Sequence, residues 1–316
     1  MGVFKMTRRP ILTIGPLLLV ATCYVVAAPA RPLPNVTSSA ADFEDAIDAP
    51  LADQPLELRC QAAAESLRQT LPPTWNILVR GPFILGGDLK TDELDRHFQQ
   101  TIQPTATALV GSYFDCSPRH PICVLICSTD ACFRDCNLRL DGVPREQYSG
   151  IYARKHRRVI VNIASGDGTL AHELTHALAH ADFPQMPEWF DEGLASLHEE
   201  CEFSADGSQL IGNLNWRHEV ALEALQRGEL RLLEDVTSNR FGSAERATID
   251  YAHVRSLCHY LQEQGLLASF YRLCRQNVKA DPTGLRSLCT VAKAARPQQL
   301  DDAFRAWLIA SANPSK

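Results

Sequence analysis

Positive charge is not in excess in this chain. Against 31 Lys and Arg stand 37 Asp and Glu over 316 residues, a formal charge of −6. A nucleic-acid partner therefore finds no electrostatic footprint. Charge is not gathered into blocks either, except in the run Arg154, Lys155, His156, Arg157, Arg158. That run fits a solvated turn ahead of a strand, or an electropositive rim that favours acidic substrates. No internal repeat recurs, which argues against a solenoid or propeller. No C-x-x-C pair occurs: the central cysteines, Cys116, Cys123, Cys127, Cys132 and Cys136, are spaced C-x6-C-x3-C-x4-C-x3-C, which does not suit a zinc ribbon.

The hydrophobic fraction, 45 %, is that of a globular chain with a core. The N-terminus reads as a targeting segment. Lys5, Arg8 and Arg9 precede the apolar run "ILTIGPLLLVATCYVVAA", and small residues at Ala28 and Ala30 set up cleavage after Ala30. A signal peptide over 1–30 implies a secreted or periplasmic protein. The alternative is an uncleaved membrane anchor over residues 11–28, since the apolar run is long. Residues 31–55, rich in Pro, Ala, Asp and Ser, read as a flexible linker with a glycosylation sequon at Asn35. Export also changes the meaning of the cysteines. Once Cys23 leaves with the signal, Cys60, Cys201, Cys258, Cys274, Cys289 and the central five make an even set, and disulfides are expected. Cys123 and Cys127 cannot pair if "PICVLICS" is a strand, because they then sit roughly 13 Å apart. Cys258 and Cys274 flank a turn at Gly265 and could staple it.

Residues 56–316 read as one α+β domain, with a cysteine-rich insertion at about 116–136. "LRCQAAAESLRQTL" has helical spacing. "WNILVRGPFILGGDL" reads as a bent strand or hairpin, and "DELDRHFQQTIQPTATALVGSYF" as helix with a kink or break at Pro104. "DACFRDCNLRL" is a short helix, and "GIYARKHRRVIVNIA" a hairpin or a strand with a charged start. From Gly168 onward the spacing is mostly helical.

The chemistry centres on "GTLAHELTHALAHAD". Leu170, Leu174, Ala177, Leu178 and Ala181 form a buried stripe, and His172 and His176 sit at i and i+4 on another. H-E-x-x-H supplies two metal ligands and, in Glu173, a general base from one turn. A catalytic zinc needs a third protein ligand. His180 continues the row but lies about 6 Å up the axis from His176, too far to share the ion. Asp182 occupies the last place of the pattern H-E-x-x-H-x-x-G-x-x-(H/D), but Ala179 stands where that pattern needs Gly. Glu192, in "PEWFDEGLASLHEE", is the remaining candidate: a short Pro-bounded loop returns a second helix to the first.

"HELTH" followed by "PEWFDEGLAS" resembles the gluzincins, the peptidase MA-like group with a W-x-x-E-G-x-A second helix. The resemblance extends from "GIYARKHRRVIVNI" to "DYAHVRSLCHYLQ" and covers about residues 75–265. It implies a zincin-like fold, Zn2+ as cofactor, and His172, His176 and Glu192 as its ligands. It also implies Glu173 as general base and Tyr251 as oxyanion donor, in a secreted metallopeptidase acting on peptides or proteins. Asp191 and Ser196 are candidates for holding the imidazoles. No G-x-M-E-N-type stretch is present, so an endopeptidase is favoured over an aminopeptidase. "RRVIVNI" is the strand expected to offer an edge to an extended peptide. The rival is a degenerate zincin, a zinc- or protein-binding module without catalysis.

Overall fold

The computed structural model describes residues 54–114, 117–238, 241–243 and 245–311. The expected signal peptide, all of the linker but its last two residues, the Asn35 sequon and Cys116 lie outside them. Helix α1 (Leu56–Thr70) buries Cys60, Ala64 and Leu67 at helical spacing and leads to the hairpin β1 (Asn76–Arg80) and β2 (Phe83–Gly87). Helix α2 (Thr91–His97) then runs through a π-turn (Phe98–Ile102) into α3 (Gln103–Ser112). The expected break at Pro104 is absorbed there. Proline has no N–H for the carbonyl four residues back, and the helix widens by one turn just before it instead of stopping.

Strand β3 (Ile122–Cys127) is followed by α4 (Asp130–Asp141). The Thr129 side chain caps α4 by accepting from Cys132 N, and Gly142, in the left-handed region, closes it. Strands β4 (Gly150–Ala153) and β5 (Arg158–Asn162) form a second hairpin around a 3-10 turn, Arg154–His156. The sheet order is β1-β2-β3-β5-β4, with β2, β3 and β5 parallel and the two outer strands antiparallel. Two sequence expectations are corrected by this order. The cysteine-rich stretch is no insertion, because it supplies the middle strand. "RRVIVNI" is no edge, because β5 is paired on both sides; β4 is the edge. The basic run is the β4–β5 turn, and its last member, Arg158, turns inward to an ion pair with Asp141 of α4.

Side chains alternate cleanly across the sheet. Val124, Ile126, Val159 and Val161 face the larger core, while Leu125, Cys127 and Ile160 face α1 and α4. The larger core is completed by α5 (Asp167–Asp182), α6 (Glu188–Glu199), α7 (Trp216–Gln226), α8 (Leu233–Val236), α9 (Ala247–Glu263), α10 (Leu267–Asn277), α11 (Leu285–Val291) and α12 (Pro297–Ser311). A small hairpin, β6 (Cys201–Phe203) with β7 (Leu210–Gly212), interrupts this helical half and was not expected. The architecture is thus α+β, a small mixed sheet with mostly helices. Among the described residues no helix is long and apolar enough to cross a membrane.

No disulfide joins the described cysteines. Cys258 lies against Gly193 of α6 and Cys274 against Gly284, so the expected 258–274 staple is absent: the two thiols face different neighbours. Cys127 faces Cys132 and Cys136, one turn apart on α4, and hydrogen bonding to these two thiols, reinforced by burial, holds its own pKa far above the ordinary range.

Candidate metal centre

Helix α5 carries its histidines on the side facing α6. Five residues, 183–187, separate the two helices, with Phe190 N and Asp191 N both bonded to Pro187 O at the start of α6. The apolar face of α6 is the one its sequence predicts: Trp189, Phe190, Leu194 and Leu197 are all buried, and Phe190 lies 4.6 Å from the Phe270 ring. With that face anchored, Glu192 is turned toward α5. His172 Nε2 and His176 Nε2 are 3.2 Å apart, and Glu192 Oε2 lies 3.8 and 3.6 Å from them. These three are the one group of His, Cys, Asp and Glu among the described residues whose donor atoms converge within 4.8 Å. Ligands at about 2.0–2.1 Å from a tetrahedral ion stand about 3.3–3.4 Å from one another. The three donors therefore fit one such ion, and two imidazoles with one carboxylate can hold a divalent metal.

The protonation pattern suits a cation. His172 is pushed down to about 3 by burial and by His176 beside it, so it offers a lone pair. Burial alone would lower His176 too, but the Asp191 and Glu192 carboxylates raise it well above its ordinary value. Burial would raise Glu192, yet His176 draws it down. The Asp191 and Glu192 carboxylates thus favour positive charge beside them.

Asp191 accepts from His176 Nδ1 at 2.8 Å and lies 2.8 Å from His180 Nε2. It fixes this imidazole and leaves the opposite nitrogen, Nε2, facing His172 and Glu192. His180 is thereby committed to Asp191 and to the Tyr152 ring, as its distance along the helix implied. Asp182 is committed elsewhere: Tyr271 donates to it at 3.0 Å and Arg275 at 2.5 Å. Ser196 does not reach the imidazoles. It is buried, its hydroxyl has no partner among the described residues, and its carbonyl accepts from Arg255.

Glu173 is buried beside the ligands without being one of them. Burial, reinforced by Glu192, Asp191 and Glu199, pushes its carboxyl up to about 8. Gly150 of the edge strand β4 backs onto it: a Cβ there would stand 2.8 Å from Glu173 Cγ and 2.9 Å from Oε1. Tyr251, on α9, is brought in by a second close approach. Gly193 leaves α6 without a side chain where a Cβ would be 2.9 Å from Val254 O and from Cys258 Sγ. Burial, reinforced by the Glu192 carboxylate, holds the Tyr251 pKa far above the ordinary value. Its ring packs 5.3 Å from Phe241. His253 faces away from the metal ligands, buried and stacked on Phe304 at 5.4 Å.

Two features escaped the sequence patterns: Glu199, whose carboxylate faces His172, and the edge strand β4 lying along Glu173. No protein-family model matches the chain and no curated protein matches it.

Proposed function

We propose that the protein is an exported zinc-dependent metallopeptidase with a zincin-like fold, of the gluzincin kind. The observation that carries this reading is the convergence of His172, His176 and Glu192 with a buried carboxyl, Glu173, beside them that is free of ligand duty. A zinc ion held there supplies an acidified water and a Lewis acid for the scissile carbonyl. Glu173 accepts the proton of the attacking water and passes it to the leaving amine. Tyr251 donates a hydrogen bond from its hydroxyl to the oxyanion that develops on the carbonyl oxygen. The open side of β4 offers its backbone to an extended peptide, which then runs past Glu173. This strand takes the part first expected of β5. The missing G-x-M-E-N-type stretch favours cleavage within chains over removal of single N-terminal residues.

Digestion of a mixed peptide library tests the proposal. The zinc-loaded protein is expected to generate new internal termini, a chelator to stop this, and added zinc to restore it. Zinc binding without cleavage would favour a binding module that has lost catalysis. No zinc binding at all would remove the metal reading.

Tyr251→Phe is expected to lower kcat roughly a hundredfold, with KM and zinc content little changed, because an oxyanion donor acts in the transition state. If zinc affinity falls and kcat of the loaded enzyme does not, the hydroxyl serves Glu192 and not the oxyanion.

A further inference from the structure

Glu199 ends α6, two turns beyond Glu192. Its Oε2 lies 3.9 Å from His172 Nδ1, and the same oxygen accepts from Arg217 Nη1. His176 has Asp191 on its Nδ1; the carboxylate facing Nδ1 of His172 is Glu199. Ser196, the candidate nearer in sequence, offers that nitrogen nothing.

The backbone holds this arrangement from both ends. Gly168, one turn before His172, has no side chain where a Cβ would stand 2.4 Å from Glu199 O, so the first turn of α5 rests on the end of α6. Asn215 caps α7: its side chain accepts from Arg217 N at 3.1 Å and donates to Glu200 Oε1 at 3.1 Å. Arg217, in the first turn of α7, is thereby aimed at Glu199. The Arg217 side chain is 12 % exposed and that of Glu199 29 %, so water screens this pair less than a surface pair.

We propose that Glu199, held by Arg217, is the positioning residue for His172. A carboxylate facing Nδ1 favours the tautomer with its proton there and leaves the Nε2 lone pair for the ion. At 3.9 Å the contact is electrostatic and longer than a hydrogen bond. The role rests on the metal reading above and adds to it the second of two outer carboxylates, one for each imidazole.

The test uses the full chain, metal-free, with zinc titrated against a chromophoric chelator and the Tm of the metal-free protein measured alongside. Glu199→Gln is expected to bind zinc 10- to 100-fold more weakly, the usual effect of losing an outer partner, with only a small fall in Tm, because the amide still offers Arg217 an acceptor. Glu199→Asp should recover part of the loss, Arg217→Gln should weaken binding in the same direction, and Ser196→Ala should bind as wild type. Wild-type affinity in Glu199→Gln, or a loss that only tracks a fall in Tm, overturns the proposal. If Glu199→Gln does not fold, Arg217→Gln decides in the same way. A wild-type chain that binds no zinc fails the metal reading itself.

Discussion

Glu192→Ala is expected to empty the zinc site, whereas Asp182→Asn should keep the ion. Glu192 supplies one of three donors, 3.6 and 3.8 Å from the two imidazole nitrogens. Loss of an outer partner costs about 10- to 100-fold in metal affinity. Loss of a ligand itself removes a bond to the ion and should exceed a hundredfold. The substitution also takes away a carboxylate that makes the pocket attractive to positive charge. Asp182 is the opposite case. Its oxygens meet Tyr271 and Arg275, tying the end of α5 to α10, and its side chain is 4 % exposed. Changing it should lower Tm and leave zinc content alone. The asparagine variant retains an acceptor for Tyr271, which limits the damage from a broken buried pair. Metal content after gel filtration in a weak competing chelator distinguishes the two. Zinc retained by Glu192→Ala and lost by Asp182→Asn would reverse the ligand assignment.

What could be read from the sequence follows the range of the forces that place each residue. His172 and His176 are joined by a single helical turn, so spacing alone puts them together. Glu192 depends on a short connection and on one amphipathic face, Trp189, Phe190, Leu194 and Leu197, and both were legible. Asp191 follows from Glu192, since it is fixed by the same helix one residue earlier. Ser196 shares a helical row with Glu192, but it is buried against α9, where Arg255 takes its carbonyl, and its hydroxyl finds no partner among the described residues. Glu199 acquires its role only through Arg217, which arrives from beyond the β6–β7 hairpin, and no local pattern carries that. The exchange of edge and interior between β4 and β5 is similar. Both belong to one hairpin, and the long-range pairing of β5 with β3 decides which is covered. A signal was present: Val159, Ile160 and Val161 of "RVIVN" are an unbroken β-branched run, which suits a covered strand, whereas "GIYA" has one β-branched residue, Ile151, and begins on Gly.

Glu173→Gln is expected to retain zinc and lose about 10²- to 10⁴-fold in kcat, the usual worth of a positioned general base. The amide keeps the size of the side chain and its place behind Gly150, but it cannot take a proton at neutral pH. In the metal-free chain the Glu173 carboxyl is pushed up to about 8, chiefly by burial, from an ordinary value of 4.5. It is therefore mostly protonated at pH 7. A cation held by the adjacent ligands favours the charged form and draws the carboxyl back toward a base. The same shift gives a second readout. A carboxyl whose folded pKa lies above its unfolded one binds its proton more tightly in the folded chain. The stability it contributes is complete below pH 4.5 and is lost as pH rises through about 8. Glutamine has no such loss. Metal-free Glu173→Gln should therefore gain in Tm over the wild type as pH is raised from 4 toward 8, while the loaded variant cleaves far more slowly. Near wild-type cleavage by the zinc-loaded variant would sink the general-base role. A Tm difference that does not change with pH would mean that the buried carboxyl is not held protonated in the folded chain.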